Sequence, residues 1–181
     1  MPGSLIRRRS EIMICWSVAF DIPPPHQELA RQGLRKDASA MKIWTHGNSV
    51  QVQSPGWDVH RTSSVGRIAR TGEGGWCHFA IPTFIEDETS GTFYSAHLRF
   101  STGDQGTIDA VEVWDGGSRV LRIAGLSLQG VNQEVEFAVP EDEGSIDIVE
   151  CVDISVHVTF GLNAANAWVQ FFSVGAHLTP N

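Results

Sequence analysis

The chain has 181 residues, 41% of them hydrophobic and 19% charged, which fits a globular protein with one full core and excludes an unfolded chain. Charge is uneven: residues 1–41 hold six Lys/Arg against four Asp/Glu, whereas residues 42–181 hold seven against seventeen. So acidic a region repels phosphate backbones and anionic lipid, which argues against nucleic acid and membrane surfaces as partners and leaves neutral polar ligands, cations and glycans.

Residues 1–41 read as an arm, either disordered or the product of a start placed too early, with Met41 as the expected true first residue. Arg7-Arg8-Arg9 before the apolar run Ile12–Phe20 resembles a secretory signal, yet Pro23-Pro24-Pro25 follows at once and the first A-x-A, Ala38-Ser39-Ala40, lies well beyond. No apolar run approaches the roughly 20 residues of a spanning helix. The three cysteines, Cys15, Cys77 and Cys151, are odd in number and widely spaced, unlike a zinc ribbon or a disulfide framework. They point to a reducing compartment, so the expected location is cytoplasmic, with secretion as the alternative.

From Lys42 the period is two. Short strands are predicted at Ser49–Gln53, Arg67–Arg70, Gly75–Ile81 and Glu134–Val139. Tyr94, Ala96, Leu98 and Phe100 alternate with Ser95, His97, Arg99 and Ser101, the mark of a half-buried strand. Asp115-Gly116-Gly117-Ser118 between Thr107–Trp114 and Arg119–Leu128 predicts a tight hairpin. Ile146–Phe160 is apolar at every even position except Glu150, and it is too long for one strand. It is expected to bend, bulge or change sheet near Glu150 and Cys151. In Ala167–Leu178, Trp168, Phe172, Val174, Ala176 and Leu178 make one face, which strands Val169 and Phe171 on the other. The arm, a loop or another subunit is expected to cover them, and the pair suggests a self-association surface, most simply that of a symmetric dimer in a homo-oligomer. Eight to ten strands without a strong helix predict an all-β fold, an antiparallel two-sheet sandwich of jelly-roll type over residues 42–181. A small closed barrel is the alternative.

Trp44-Thr45-His46-Gly47-Asn48, Gly75-Trp76-Cys77-His78-Phe79 and Ile81-Pro82-Thr83 together resemble a group of small, uncharacterised bacterial β domains. These open with W-x-H-G-N and carry W-x-H-x-x-I-P further on. The resemblance covers most of residues 42–178. It implies a compact β-sandwich starting near Met41, and it brings no activity.

Tryptophan on an acidic β-sandwich suits carbohydrate: indole stacks on the apolar face of a sugar while carboxylates and amides take its hydroxyls. Trp57, with Asp58, sits in the loop-like Ser54-Pro55-Gly56-Trp57-Asp58 and is the first choice for an exposed ligand-binding indole. Trp44 with His46 and Asn48 is the second, while Trp114 and Trp168 fall on apolar strand faces. His97, His157 and His177 lie on polar strand faces. If those strands are neighbours, they and Asp153 could hold a zinc ion. The acidic turns Glu86-Asp87-Glu88 and Glu141-Asp142-Glu143 have oxygen ligands for Ca²⁺ but no EF-hand spacing, and solubility explains them as well. Nucleophilic motifs are lacking: Cys77 and His78 point to opposite faces of a strand, and no G-x-S-x-G occurs. The first reading is therefore a non-enzymatic, cofactor-free binder of a small polar ligand or glycan. A self-assembling structural subunit comes second and a metal-dependent enzyme third.

Overall fold

The computed structural model describes residues 40–83 and 90–180. The expectations for the arm ahead of Ala40, for Cys15 and for the Glu86-Asp87-Glu88 turn lie outside the described residues. Among the described residues twelve strands run in order: β1 (Met41–His46), β2 (Gln51–Val52), β3 (Asp58–Arg61), β4 (Gly66–Ala69), β5 (Gly74–Ile81), β6 (Gly91–Thr102), β7 (Gly106–Asp115), β8 (Ser118–Leu128), β9 (Gln133–Ala138), β10 (Ile146–Ile148), β11 (Val152–Phe160) and β12 (Trp168–Pro180).

All pairings are antiparallel. A seven-stranded sheet follows the path β10-β6-β12-β4-β3, with β1 also on β12 and β9 also on β6. A five-stranded sheet has the order β2-β5-β11-β7-β8. The predicted sandwich stands, and the strand count rises by β1, β3 and β10, the last lying inside the run Ile146–Phe160. Apolar residues of both sheets share one core, where Phe79 of β5 meets Phe171 of β12 edge-on at 5.0 Å between ring centroids. The β7–β8 hairpin turns on Gly116-Gly117, with Gly116 at φ 53°, a conformation glycine adopts without strain.

The run Ile146–Phe160 changes sheet. β10 pairs β6 in one sheet and β11 pairs β5 and β7 in the other. Asp115, the last residue of β7, holds the crossing. Its Oδ2 accepts the N–H of Val149 at 2.9 Å, and its Oδ1 accepts those of Glu150 at 2.8 Å and Cys151 at 3.2 Å. Glu150 is exposed in the crossing, so its carboxylate never enters the apolar face its register suggested.

β12 corrects the sequence reading. Its register against β6 shifts between Phe171 and Ser173, so Phe172 is the extra residue of a β-bulge. The bulge moves the alternation by one. Val169 and Phe171 therefore join Val174, Ala176 and Leu178 on the inner face, and both are fully buried. They need no covering partner, and the surface on which self-association was expected is core.

Trp57 is the second correction. The loop before β3 folds inward, and the indole is 8% exposed, edge-on to Phe160 at 5.6 Å. Gly75 makes room: a Cβ there would lie 2.7 Å from the indole ring.

Candidate functional site

A β-strand with one buried face shows its alternate residues to solvent, so each sheet has an outer face to examine. On the five-stranded sheet, β11 is central, and Asp153, Ser155, His157 and Thr159 point outward. β5 contributes Trp76, His78 and Ala80, and β7 contributes Ala110, Glu112 and Trp114. Trp76 lies opposite His157, and Trp114 lies opposite Asp153 on the other flank. Two strand spacings and four residues separate the two indoles, about 16 Å between their backbones. Both residues are half-buried.

The polar groups between them are tied in place. The Trp76 and His157 rings meet edge-on at 4.9 Å, and Nδ1 of His157 lies 2.6 Å from Oδ1 of Asp109. Asp109 is the residue skipped where β7 pairs β11, and this bulge aims its carboxylate at the imidazole. Beside them Ser155 Oγ donates to Asp153 Oδ2 at 2.8 Å and lies 2.8 Å from Nδ1 of His78. The only hydroxyl proton of Ser155 is used, so Nδ1 of His78 is the donor in the second bond. Glu112, 4% exposed, is gripped by Arg119 at 2.9 Å and Arg122 at 3.1 Å, both reaching over from β8.

The hydrogen bonding does not prepare Ser155 as a nucleophile. Ser155 is 1% exposed, and its histidine neighbour donates a proton instead of accepting one. The backbone N–H groups of β11 around it are spent in the ladders with β5 and β7.

The outer face of the seven-stranded sheet carries a second aromatic group. Trp44 of β1 lies opposite Gly175 of β12, and a Cβ on Gly175 would come within 2.8 Å of the indole. Over that gap the indole reaches His97 of β6, with ring centroids 5.5 Å apart. Tyr94 and His177 form a similar pair at 5.3 Å. His97 is 2% exposed. Ser95 Oγ donates to Glu136 at 2.8 Å and takes a bond from Nε2 of His97 at 3.0 Å, which fixes the proton on that nitrogen. Burial, and then repulsion from Lys42 and His177, hold the His97 imidazole below its usual pKa against the pull of Glu136 and Glu134. The Ser95 hydrogen bond holds the Glu136 carboxyl below its usual range.

The candidates expected from sequence are thus dispersed. Trp44 and His46 share a face with His97 and His177. Trp57 is core, and Asp58 is exposed at the start of β3. Asn48 is occupied, donating to the carbonyls of Thr62 and Ser63. The grouping of His97, His157 and His177 does not form. β11 belongs to the five-stranded sheet while β6 and β12 belong to the other, so His157 faces the opposite side of the molecule. Among the described residues no three His, Cys, Asp or Glu side chains gather as a metal site. The sequence pattern does not bring Trp76, Trp114, Asp109 and Asp153 together, although the structure places them on one face. The signal was present, since Trp76-Cys77-His78 repeats the W-x-H spacing of Trp44-Thr45-His46.

No curated protein matches the chain. Among solved structures it is similar to the xylan-binding module CBM86 from Roseburia intestinalis, at 16% identity and TM-score 0.50, over 76% of this chain and 96% of that one. It is also similar to the C-terminal CBM6 of LamC, a marine laminarinase from Zobellia galactanivorans, at 10% identity and TM-score 0.42, over 78% and 99%. The first likeness shows the shared fold, a two-sheet β-sandwich. Residues 39–178 match the model of the family of unknown function DUF6623, and the chain belongs to that family.

Proposed function

We propose that this DUF6623 protein is a non-catalytic carbohydrate-binding protein, and that a neutral glycan chain lies across the outer face of its five-stranded sheet. The observation that carries the reading is the pair of part-exposed indoles, Trp76 and Trp114, with ordered hydrogen-bonding groups between them. Indole faces take the apolar faces of sugar rings, and Asp109, Asp153 and His157 take and give hydrogen bonds to hydroxyls. Among the described residues Asp109 and Asp153 pair with imidazole and hydroxyl groups and with no lysine or arginine, which disfavours an anionic ligand. The fold shared with a xylan-binding module supports the same reading.

The face is complete within one copy of the chain, so the proposal needs no oligomer. Among the described residues no helix is long and apolar enough to cross a membrane. A binder of polysaccharide works where polysaccharide is, so the proposal favours secretion over the cytoplasmic location that the cysteines suggested.

The test is affinity gel electrophoresis against neutral polysaccharides, with xylan, mannan and galactan as probes. Retardation by at least one of them, lost in Trp76→Ala or Trp114→Ala, is the expected result. Unretarded migration in all three, or retardation indifferent to both substitutions, would overturn the proposal.

A further inference from the structure

Strand register sets the two indoles of the five-stranded face on one line. In the row through His157, Trp76 lies on the β5 side and Ala110 on the β7 side. In the row through Asp153 the order is reversed, with Ala80 on the β5 side and Trp114 on the β7 side. Each indole therefore faces an alanine across β11, and the tall and the low residues take opposite corners. Ser155 holds the row between, flanked by His78 and Glu112, both already engaged. The result is a track that crosses β11 obliquely, from Trp76 over His157, Ser155 and Asp153 to Trp114.

The middle of this track offers acceptors. Asp109 gives Oδ1 to His157, and Asp153 gives Oδ2 to Ser155. The second oxygen of each carboxylate stands outside these bonds, and both residues are half-buried. A ligand between the indoles meets them with donors, which unsubstituted sugar hydroxyls supply.

The span limits what can lie there. The backbones of Trp76 and Trp114 are about 16 Å apart, from two strand spacings and four residues. A pyranose ring with its glycosidic oxygen is about 5 Å long, given bonds of about 1.5 Å. Reaching from one indole to the other takes three linkages, hence four rings. Equatorial linkages at both ends of every ring keep such a chain straight, with its ring faces flat to the sheet. An axial linkage curls the chain off the sheet within that length.

We infer that this face takes the interior of a straight β-1,4-linked pyranose chain, equatorial at both C1 and C4, with the indoles on the first and fourth of four consecutive rings. Hydroxyls of the two rings between donate to Asp109 and Asp153. Linkage and length are thereby added to the neutral-glycan reading above, on which the assignment rests.

Isothermal titration of the wild type with β-1,4-linked xylo- and manno-oligosaccharides of two to six rings is the test. Six-ring β-1,4-galacto- and α-1,4-gluco-oligosaccharides, each with one axial linkage per ring, are the curled controls. For at least one equatorial series, affinity is expected to rise about tenfold or more from three rings to five, as the second indole is engaged, and then to level off. Both controls should bind about tenfold more weakly than the equatorial hexasaccharide. In Trp114→Ala the rise with length should disappear, and the wild-type series decides the matter if that variant does not fold. A three-ring member that binds as tightly as the five-ring one, a control that matches the equatorial hexasaccharide, a folded Trp114→Ala with unchanged length dependence, or no binding in either series would overturn the inference. Retardation by xylan, mannan or galactan that is lost in Trp76→Ala or Trp114→Ala would show that the proposed function survives that failure.

Discussion

Trp76 and His157 stand opposite each other across the β5–β11 pair, rings edge-on at 4.9 Å, and Asp109 anchors the imidazole from behind at 2.6 Å. Through His157 the carboxylate fixes the orientation of the indole that the glycan would meet. Asp109→Ala is expected to loosen the imidazole and weaken binding of a retarding neutral polysaccharide several-fold. Trp76→Ala should cost tenfold or more, about 1.4 kcal/mol. Titration calorimetry on the two variants, with thermal melts to confirm folding, checks the order.

His97 makes stability sensitive to acid. Its folded pKa is held below the ordinary value, so the native state binds fewer protons than the unfolded chain as pH falls. The stabilisation is whole above about pH 6.5 and is lost as pH drops toward the folded value. Glu136 acts in the same direction at lower pH, in the carboxylate range. Melting temperature is therefore expected to fall between pH 7.5 and pH 5. In His97→Gln, which keeps a donor for Ser95, the fall over that interval should be smaller. Equal slopes in the two proteins would count against this role for His97.

Phe171 tests the corrected register. The ring is fully buried and packs on Phe79, so Phe171→Ala should cost about 3–5 kcal/mol. Light scattering should give the same particle mass for wild type and variant, because the residue serves the core. A change of mass with little loss of stability would restore the surface role.

Trp57 and Gly75 should behave as a packed pair. Trp57→Ala opens a cavity beside Phe160, and Gly75→Ala drives a methyl group into the indole. Both are expected to lower the denaturation midpoint, by about 3–5 kcal/mol for the first and about 1–3 kcal/mol for the second. Neither should change glycan affinity per folded molecule, whereas a surface tryptophan would show the opposite pattern.

Asp115 accepts three backbone N–H groups where the chain passes from one sheet to the other. Asp115→Ala leaves those donors to water and should cost about 2 kcal/mol in urea denaturation. Asp115→Asn, which keeps one acceptor oxygen, should recover part of it.

Much of this architecture is legible locally. The alternation of Ala96, Leu98 and Phe100 with polar neighbours, the Gly116-Gly117 turn and the break near Glu150 are each written within a few residues, and each appears where expected. Tyr94 is the exception in its strand. The β6–β12 register shifts beside it, and it turns outward to His177 while Phe93 enters the core. The tryptophans show the harder limit. Trp57 looks like a loop residue and is core, while Trp114 and Trp168 look like core and lie half-buried on outer faces, Trp168 beneath Arg67 at 4.4 Å. A large apolar ring is compatible with either side of a sheet, so its type alone does not assign it.

The amino-acid order by itself determined that this protein is a stack of antiparallel strands with one wet and one dry side each, because the pleat has a period of two and needs no distant partner to be read. Tertiary structure alone decided which strands became neighbours, and hence that His157 left the company of His97 and His177. It alone placed the bulges at Phe172 and Asp109, which turned one pair of side chains into core and one carboxylate toward a histidine. A single extra residue inverts every face beyond it, and nothing local records the insertion, because its cost is repaid only by contacts with strands far away in the chain.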